Sequence, residues 1–296
     1  MLLSEANLSA GRWGALAGVL LFLVAACSTG PERTAASSNR IGAASGGHTA
    51  TTTPPPLHKR CLAPREQSAE VWFDALDGTR LSGVALGQGS TGVLLAHQHW
   101  FNLCSFMPLA RELVRAGYQV LAFDFRGFGA SPAVDRRVSR WLDQDVAGGI
   151  RELHRRGAER VVLVGASMGA TSSLVEAAHP RHGPEIPVAG IVSVSGPVRF
   201  YEMDASAAVK RLRTPLLFVT SEDDGRFTDA ARLLYKTAPA PAKRLVVVPG
   251  SGHGSGLLAY GPYAARLRAL IVDFVGEHAL GQHARPVAQR TMRPSR

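Results

Sequence analysis

The stretch Val161-Val-Leu-Val-Gly-Ala-Ser-Met-Gly-Ala170 constrains this chain more than any other. Four consecutive β-formers are too short and too β-branched for a helix and predict a buried parallel strand. Gly165-Ala-Ser-Met-Gly169 then turns, and Ala170 to Ala178 predicts a helix. A serine at such a turn is forced into a strained backbone conformation that lifts its hydroxyl clear of the sheet. Flanking glycines let strand and helix approach without a Cβ clash. A glycine-rich strand-to-helix turn without chemistry is the plain alternative, because the pentapeptide recurs by chance.

Around that stretch, strands and helices alternate. Ala69 to Ala75 and Arg80 to Leu86, separated by Leu76-Asp-Gly-Thr79, predict an antiparallel hairpin. Strands follow at Gly92 to Ala96, Tyr118 to Phe123, Arg160 to Val164, Val188 to Val194, Pro215 to Thr220 and Arg244 to Val248. Helices are predicted near 106–116, 139–156, 170–178, 228–236 and 256–274. Right-handed crossovers then give a mostly parallel sheet with helices on both faces, an α/β fold. The 296 residues, 46% of them hydrophobic, suffice for one large core, and a single periodic set predicts one domain over 61–280.

The flanks read differently. Trp13 to Ala26 is apolar, too short to span a bilayer comfortably, and preceded by Arg12, so residues 1–26 read as a signal peptide. Residues 28–60, rich in Ser, Thr, Gly, Ala and Pro, read as a disordered tether, and 281–296 as a disordered basic tail. The net charge of +10 raises nucleic-acid binding as a possibility. The arginines are scattered, however, and no aromatics interleave with a basic run, which argues against it.

A serine hydroxyl becomes a useful nucleophile only when a base takes its proton and an acid orients that base. Val246-Val-Val-Pro-Gly-Ser-Gly-His253-Gly is a strand ending in a glycine-rich loop that carries a histidine. Leu216-Leu-Phe-Val-Thr-Ser-Glu-Asp223-Asp224-Gly is built alike and carries carboxylates. In doubly wound sheets such loops share the carboxyl edge of the strands, where Ser167 also emerges. The order Ser, Asp, His, with gaps of 57 and 29 residues, is the one such an elbow requires.

From roughly Cys61 to Leu280 the chain resembles the α/β-hydrolase superfamily, of the esterase and dienelactone-hydrolase kind. The resemblance is carried by Gly165-Ala-Ser-Met-Gly169, Asp124-Phe-Arg-Gly-Phe-Gly-Ala-Ser131 and Pro249-Gly-Ser-Gly-His-Gly254. It implies Ser167 as nucleophile, His253 as general base and acid, and one acid of the 223–224 pair behind it. Asp224 is preferred over Asp223, because the family's acid lies three residues after a small residue (Ser221) and three before an apolar one (Phe227). The Asp124 loop is structural in that family. The Met168 amide would be one oxyanion donor; the other would come from His97-Gln-His-Trp100, with His99 preferred and Trp100 the alternative. Glutamine at 98 departs from the family's usual His-Gly-x.

The implied activity is hydrolysis of a small ester through an acyl-enzyme, without a cofactor. Amide hydrolysis, acyl transfer and a non-catalytic envelope-binding role are the rivals. Val24-Ala-Ala-Cys27 resembles the bacterial lipobox, so Cys27 would carry lipid and anchor the protein outside the cytoplasm, with plain secretion as the alternative. That leaves Cys61 and Cys104 as a pair in an oxidising exterior, expected to form a disulfide unless both are buried free thiols.

Other candidates receive plainer readings. His97-x-His99 with Asp124 could be metal ligands, but no metal site is expected. His154, His179 and His182 are expected to be solvated, and Asp143 and Asp145 to form a surface face. Trp72, Trp100, Phe101, Phe123 and Phe128 are expected to be core or pocket lining. Between Val194 and Pro215 there is no room for a helical cap. The site is therefore expected to be open, lined by loops 97–104, 127–138 and 197–204, unless 127–138 folds over it as a lid through Gly127 and Gly129.

Overall fold

The computed structural model describes residues 61–279 except 136, 138, 139, 184 and 185. The stretches read as a signal peptide, a tether and a basic tail, and Cys27 with them, lie outside the described residues, and among the described residues no helix is long and apolar enough to cross a membrane. After a short helix α1 (Pro64–Gln67) come β1 (Glu70–Asp74), β2 (Arg80–Leu86), β3 (Thr91–Ala96), a 3-10 turn at Leu103–Phe106, α2 (Met107–Arg115) and β4 (Gln119–Phe123). The central part comprises α3 (Leu142–Arg155), β5 (Arg160–Ala166), α4 (Met168–Ala178) and β6 (Val188–Val194). A two-residue hairpin of β7 (Arg199–Phe200) and β8 (Met203–Asp204) leads to α5 (Ala205–Val209), β9 (Leu216–Ser221), α6 (Arg226–Thr237), β10 (Lys243–Val248), α7 (Gly256–Ala259) and α8 (Ala264–Ala279).

Eight strands form one sheet in the order β1-β2-β4-β3-β5-β6-β9-β10. β2 is antiparallel to both β1 and β4, and every other pairing is parallel. The parallel strands are continuous apolar runs because both of their faces are covered. In β3, Leu94 and Ala96 face a core closed by α3, α4, α5 and α6, whereas Val93 and Leu95 face one closed by α2, α7 and α8. Leu163 and Val164 of β5 split between the two cores in the same way. The parallel pairing brings the carboxyl ends of β3, β5, β6, β9 and β10 to one edge.

Four expectations need correction. The helix expected over 256–274 is two helices, because Gly261 takes φ 85° and Pro262 has no amide hydrogen for a continuing turn. Asp143 and Asp145 are buried rather than a surface face. Asp145 accepts from the Arg126 side chain and backbone, and Asp143 pairs with Arg181 at 3.4 Å. His182 is also buried: its Nδ1 faces Glu176 at 2.8 Å and its Nε2 donates to the Ile186 carbonyl. His154 and His179 are exposed. Of the aromatics, Phe123 is core, but Trp72 lies half exposed beneath the Arg80 guanidinium, outside both core and pocket.

Candidate active site

Ser167 sits between β5 and α4 with φ 47° and ψ −111°, a backbone that L-residues seldom adopt. Its neighbours show why the turn demands glycine. A Cβ on Gly165 would lie 2.3 Å from the Gly169 carbonyl oxygen, and one on Gly169 would lie 2.1 Å from that of Ala96. The Ser167 amide donates to the Val194 carbonyl, tying the turn to β6. Met168 begins α4, so its amide has no intrahelical acceptor and the positive end of the helix lies at the serine.

The loop after β9 and the loop after β10 meet beside it. His253 Nδ1 lies 2.9 and 3.1 Å from the two carboxylate oxygens of Asp224. A carboxylate only accepts, so Nδ1 carries the proton and Nε2 is left as the basic atom. Asp224 is nearly enclosed, and the Phe227 ring packs on the imidazole with centroids 4.2 Å apart. Asp223 is exposed, and its amide is spent on the Gly250 carbonyl. Ser167 and His253 line one cavity of ≈ 650 Å³. Among the described residues no hydrogen bond joins the Ser167 hydroxyl to the His253 ring, a contact that in such sites often tightens only when substrate binds.

The loop after β3 supplies the opposite wall. His97 is fully buried: it accepts from the Phe125 amide on Nε2 and donates through Nδ1 to the Gln98 carbonyl. Burial lowers its pKa to about 4, so it is a neutral clamp with both ring nitrogens engaged. Asp124 is committed too, accepting from the Leu103 and Ala130 amides. The His99 ring is packed among Trp100, Phe128 and Phe200, and partial burial lowers its pKa. Trp100 adopts φ 64° and projects, 83% exposed, at the cavity rim with Phe101. The amides of Met168, His99 and Trp100 have no protein acceptor among the described residues.

The cavity lining differs from expectation on one side. Gln98 to Phe101 and Pro197 to Phe200 contribute, but none of the described residues of 127–138 does. Phe128 packs beneath His97 and His99 instead. The missing wall is α6, through Arg226, Phe227 and Ala230. Phe227 had a signal, lying three residues beyond the acid; Arg226 and Ala230 had none. A smaller cavity of ≈ 350 Å³ adjoins across Trp100 and Phe101, bounded by Ser255, Gly256 and Tyr260 and by Cys61 and Cys104. Those two cysteines form a disulfide with Cα atoms 5.6 Å apart.

Comparisons with known proteins agree with this architecture. The model of the alpha/beta hydrolase family matches residues 84–203. The uncharacterized protein YfhR of Escherichia coli strain K12 is 30% identical over 217 residues, covering 64% of this chain and 75% of that protein. Among solved structures, the Pyrococcus furiosus esterase Pf2001 superposes with a TM-score of 0.62 at 18% identity, over 73% of this chain and 96% of that one. An esterase from Exiguobacterium antarcticum superposes with a TM-score of 0.57 at 15% identity, over 70% and 99%. With a strained serine at the strand-to-helix turn, its fold shared with esterases and its sequence with a matching relative, this chain belongs to the alpha/beta hydrolase family.

Proposed function

We propose that the protein is a serine hydrolase of carboxylic esters, held outside the cytoplasm by a lipid on Cys27. The observation that carries the reading is the Asp224–His253 hydrogen bond opening into the cavity that Ser167 also lines. Ser167 Oγ would attack the ester carbonyl while His253 Nε2 takes its proton, and Asp224 would stabilise the resulting imidazolium. The Met168 and His99 amides would hold the oxyanion. His253 would then protonate the departing alcohol, and water, activated by the same base, would release the acid from the acyl-serine.

Substrate size follows from the walls. Among the described residues the β6–β9 connection holds only β7, β8 and α5, so it supplies no cap over the site. The leaving oxygen must lie beside His253, and the smaller cavity is walled by Ser255 and Gly256 of the same loop, so it takes the alcohol half. The larger cavity takes the acyl half. Short, water-soluble esters such as acetates and butyrates are therefore the expected substrates. Rates across a chain-length series should show no jump at the critical micelle concentration; strong preference for long chains with interfacial activation contradicts the open site. A parallel amide panel separates esterase from amidase. For the anchor, the disulfide fits an oxidising compartment. Cys27→Ala should release the protein from membranes and abolish incorporation of labelled fatty acid.

A further inference from the structure

Where the family pattern has glycine after the first loop histidine, this chain has Gln98, and its side chain is put to use. Gln98 is buried, and its Oε1 accepts from the Ser255 amide at 2.7 Å and the Ser255 hydroxyl at 3.0 Å. The Ser255 amide can only donate, which fixes the orientation of the carboxamide. Gly254 closes directly onto it: φ is +55°, and a Cβ there would lie 2.0 Å from Oε1. Gln98 is itself fastened, its backbone carbonyl accepting from His97 Nδ1 and from the Phe101 amide.

The backbone on both sides of His253 is thus held from three strand ends. The Ser221 hydroxyl, at the end of β9, donates to the Gly252 carbonyl at 2.6 Å. The Ser195 hydroxyl, after β6, accepts from the Gly254 amide at 3.0 Å. Gln98, after β3, takes Ser255. Of the three, only Gln98 also belongs to the loop whose next amide, His99, is the oxyanion donor in the mechanism above. One side chain joins the part that moves the proton to the part that holds the negative charge.

We propose that Gln98 is a positioning residue that locks the oxyanion loop to the His253 loop, so that donor and base keep a fixed separation across Ser167. This rests on the catalytic roles assigned above. Misplacing a reacting group by about 1 Å can lower rates about 100-fold, so the lock should be visible in turnover.

The test compares Gln98→Met, which keeps length and loses the acceptor, with Gln98→Glu, which keeps the acceptor. Both are assayed on a soluble acetate ester in the full-length protein, with rates normalised to the folded fraction. Gln98→Met should lower kcat about 100-fold with KM within about threefold, as expected when groups are misplaced rather than binding lost. Gln98→Glu should recover to within about tenfold of wild type. Its added negative charge should stabilise the His253 imidazolium and move the acid limb of the kcat/KM profile to higher pH. A Gln98→Met enzyme with kcat within threefold of wild type overturns the proposal. So does a Gln98→Glu enzyme that is no better than Gln98→Met or whose pH profile is unmoved. Should Gln98→Met be recovered unfolded, the Gln98→Glu rate and profile decide alone. Ser167→Ala run alongside separates the two ideas: activity retained there sinks the catalytic reading itself, whereas activity lost there with Gln98→Met unaffected sinks only the lock.

Discussion

Two charged clusters lie near the carboxyl edge of the sheet, and they are built to opposite ends. Around Arg126, whose side chain is fully enclosed, every nitrogen is committed: Nε and Nη2 to Asp145, and Nη1 and Nη2 to Asp77. Around His253 one nitrogen is committed to Asp224, and the imidazole, 31% exposed, borders the cavity. Burial raises the Asp145 pKa to about 6 even though Arg126 opposes the shift, and it lowers that of His97 to about 4. Both shifted groups are sealed and saturated with partners. A perturbed pKa is a common mark of function, but at Asp145 and His97 it marks the scaffold. The catalytic reading rests instead on a group left half-partnered at a cavity.

If that contrast is right, the same kind of substitution should strike activity in one cluster and stability in the other. Asp224→Asn should lower kcat by about 10⁴-fold, because the carboxamide no longer enforces the His253 tautomer. Asp223→Asn should stay within about twofold. A larger loss in Asp223→Asn, measured on the same ester, would overturn the choice of acid. Arg126→Met should lower unfolding free energy by about 3–5 kcal/mol, since it strands Asp77 and Asp145, while turnover per folded molecule holds. Denaturant titration with active-site counting checks both parts.

The disulfide gives an intermediate case, bordering the smaller cavity while tethering the start of the domain to the turn before α2. Its sequence separation of 43 residues predicts that the Cys61→Ser, Cys104→Ser double variant loses about 3–4 kcal/mol of stability. Mass spectrometry without reductant that finds both thiols free in exported protein would remove that bond from the account.

The smallest effect concerns pH. His97 has a folded pKa of about 4 against an ordinary value of 6.5, so the unfolded chain binds its proton first. Its contribution is therefore intact above pH 6.5 and declines as pH falls toward 4, by at most about 3 kcal/mol. In His97→Asn the decline over that window should be shallower by that amount; an unchanged slope contradicts the neutral clamp.

Much of this was legible in the chain because it depends on local pattern. The apolar run 161–164 followed by glycine-flanked Ser167 specifies strand, turn and helix within ten residues. Strand-end loops then bring Asp224 and His253 to the same edge. What escaped depends on partners that no short motif names. Asp143 and Asp145, near the start of a charged helix, look solvated until Arg181 is folded onto the first and Arg126, 19 residues before Asp145, onto the second. His182 looks like loop polarity until Glu176 and Ile186 enclose it. The α6 wall was missed because it is set by how a helix packs against the sheet, which no short motif encodes. The break before α8 was visible as Gly261-Pro262 and was outweighed by the apolar periodicity on either side.

The central claim is that the strained turn presents Ser167 as a nucleophile activated by His253. The most direct measurement treats the full-length protein with a fluorophosphonate and maps the adduct by peptide mass spectrometry, with Ser167→Ala and His253→Ala alongside. The account predicts a single adduct on Ser167, none in Ser167→Ala, and labelling at least about 10³-fold slower in His253→Ala. Equal labelling in Ser167→Ala, or an adduct on another serine in the wild type, would contradict it.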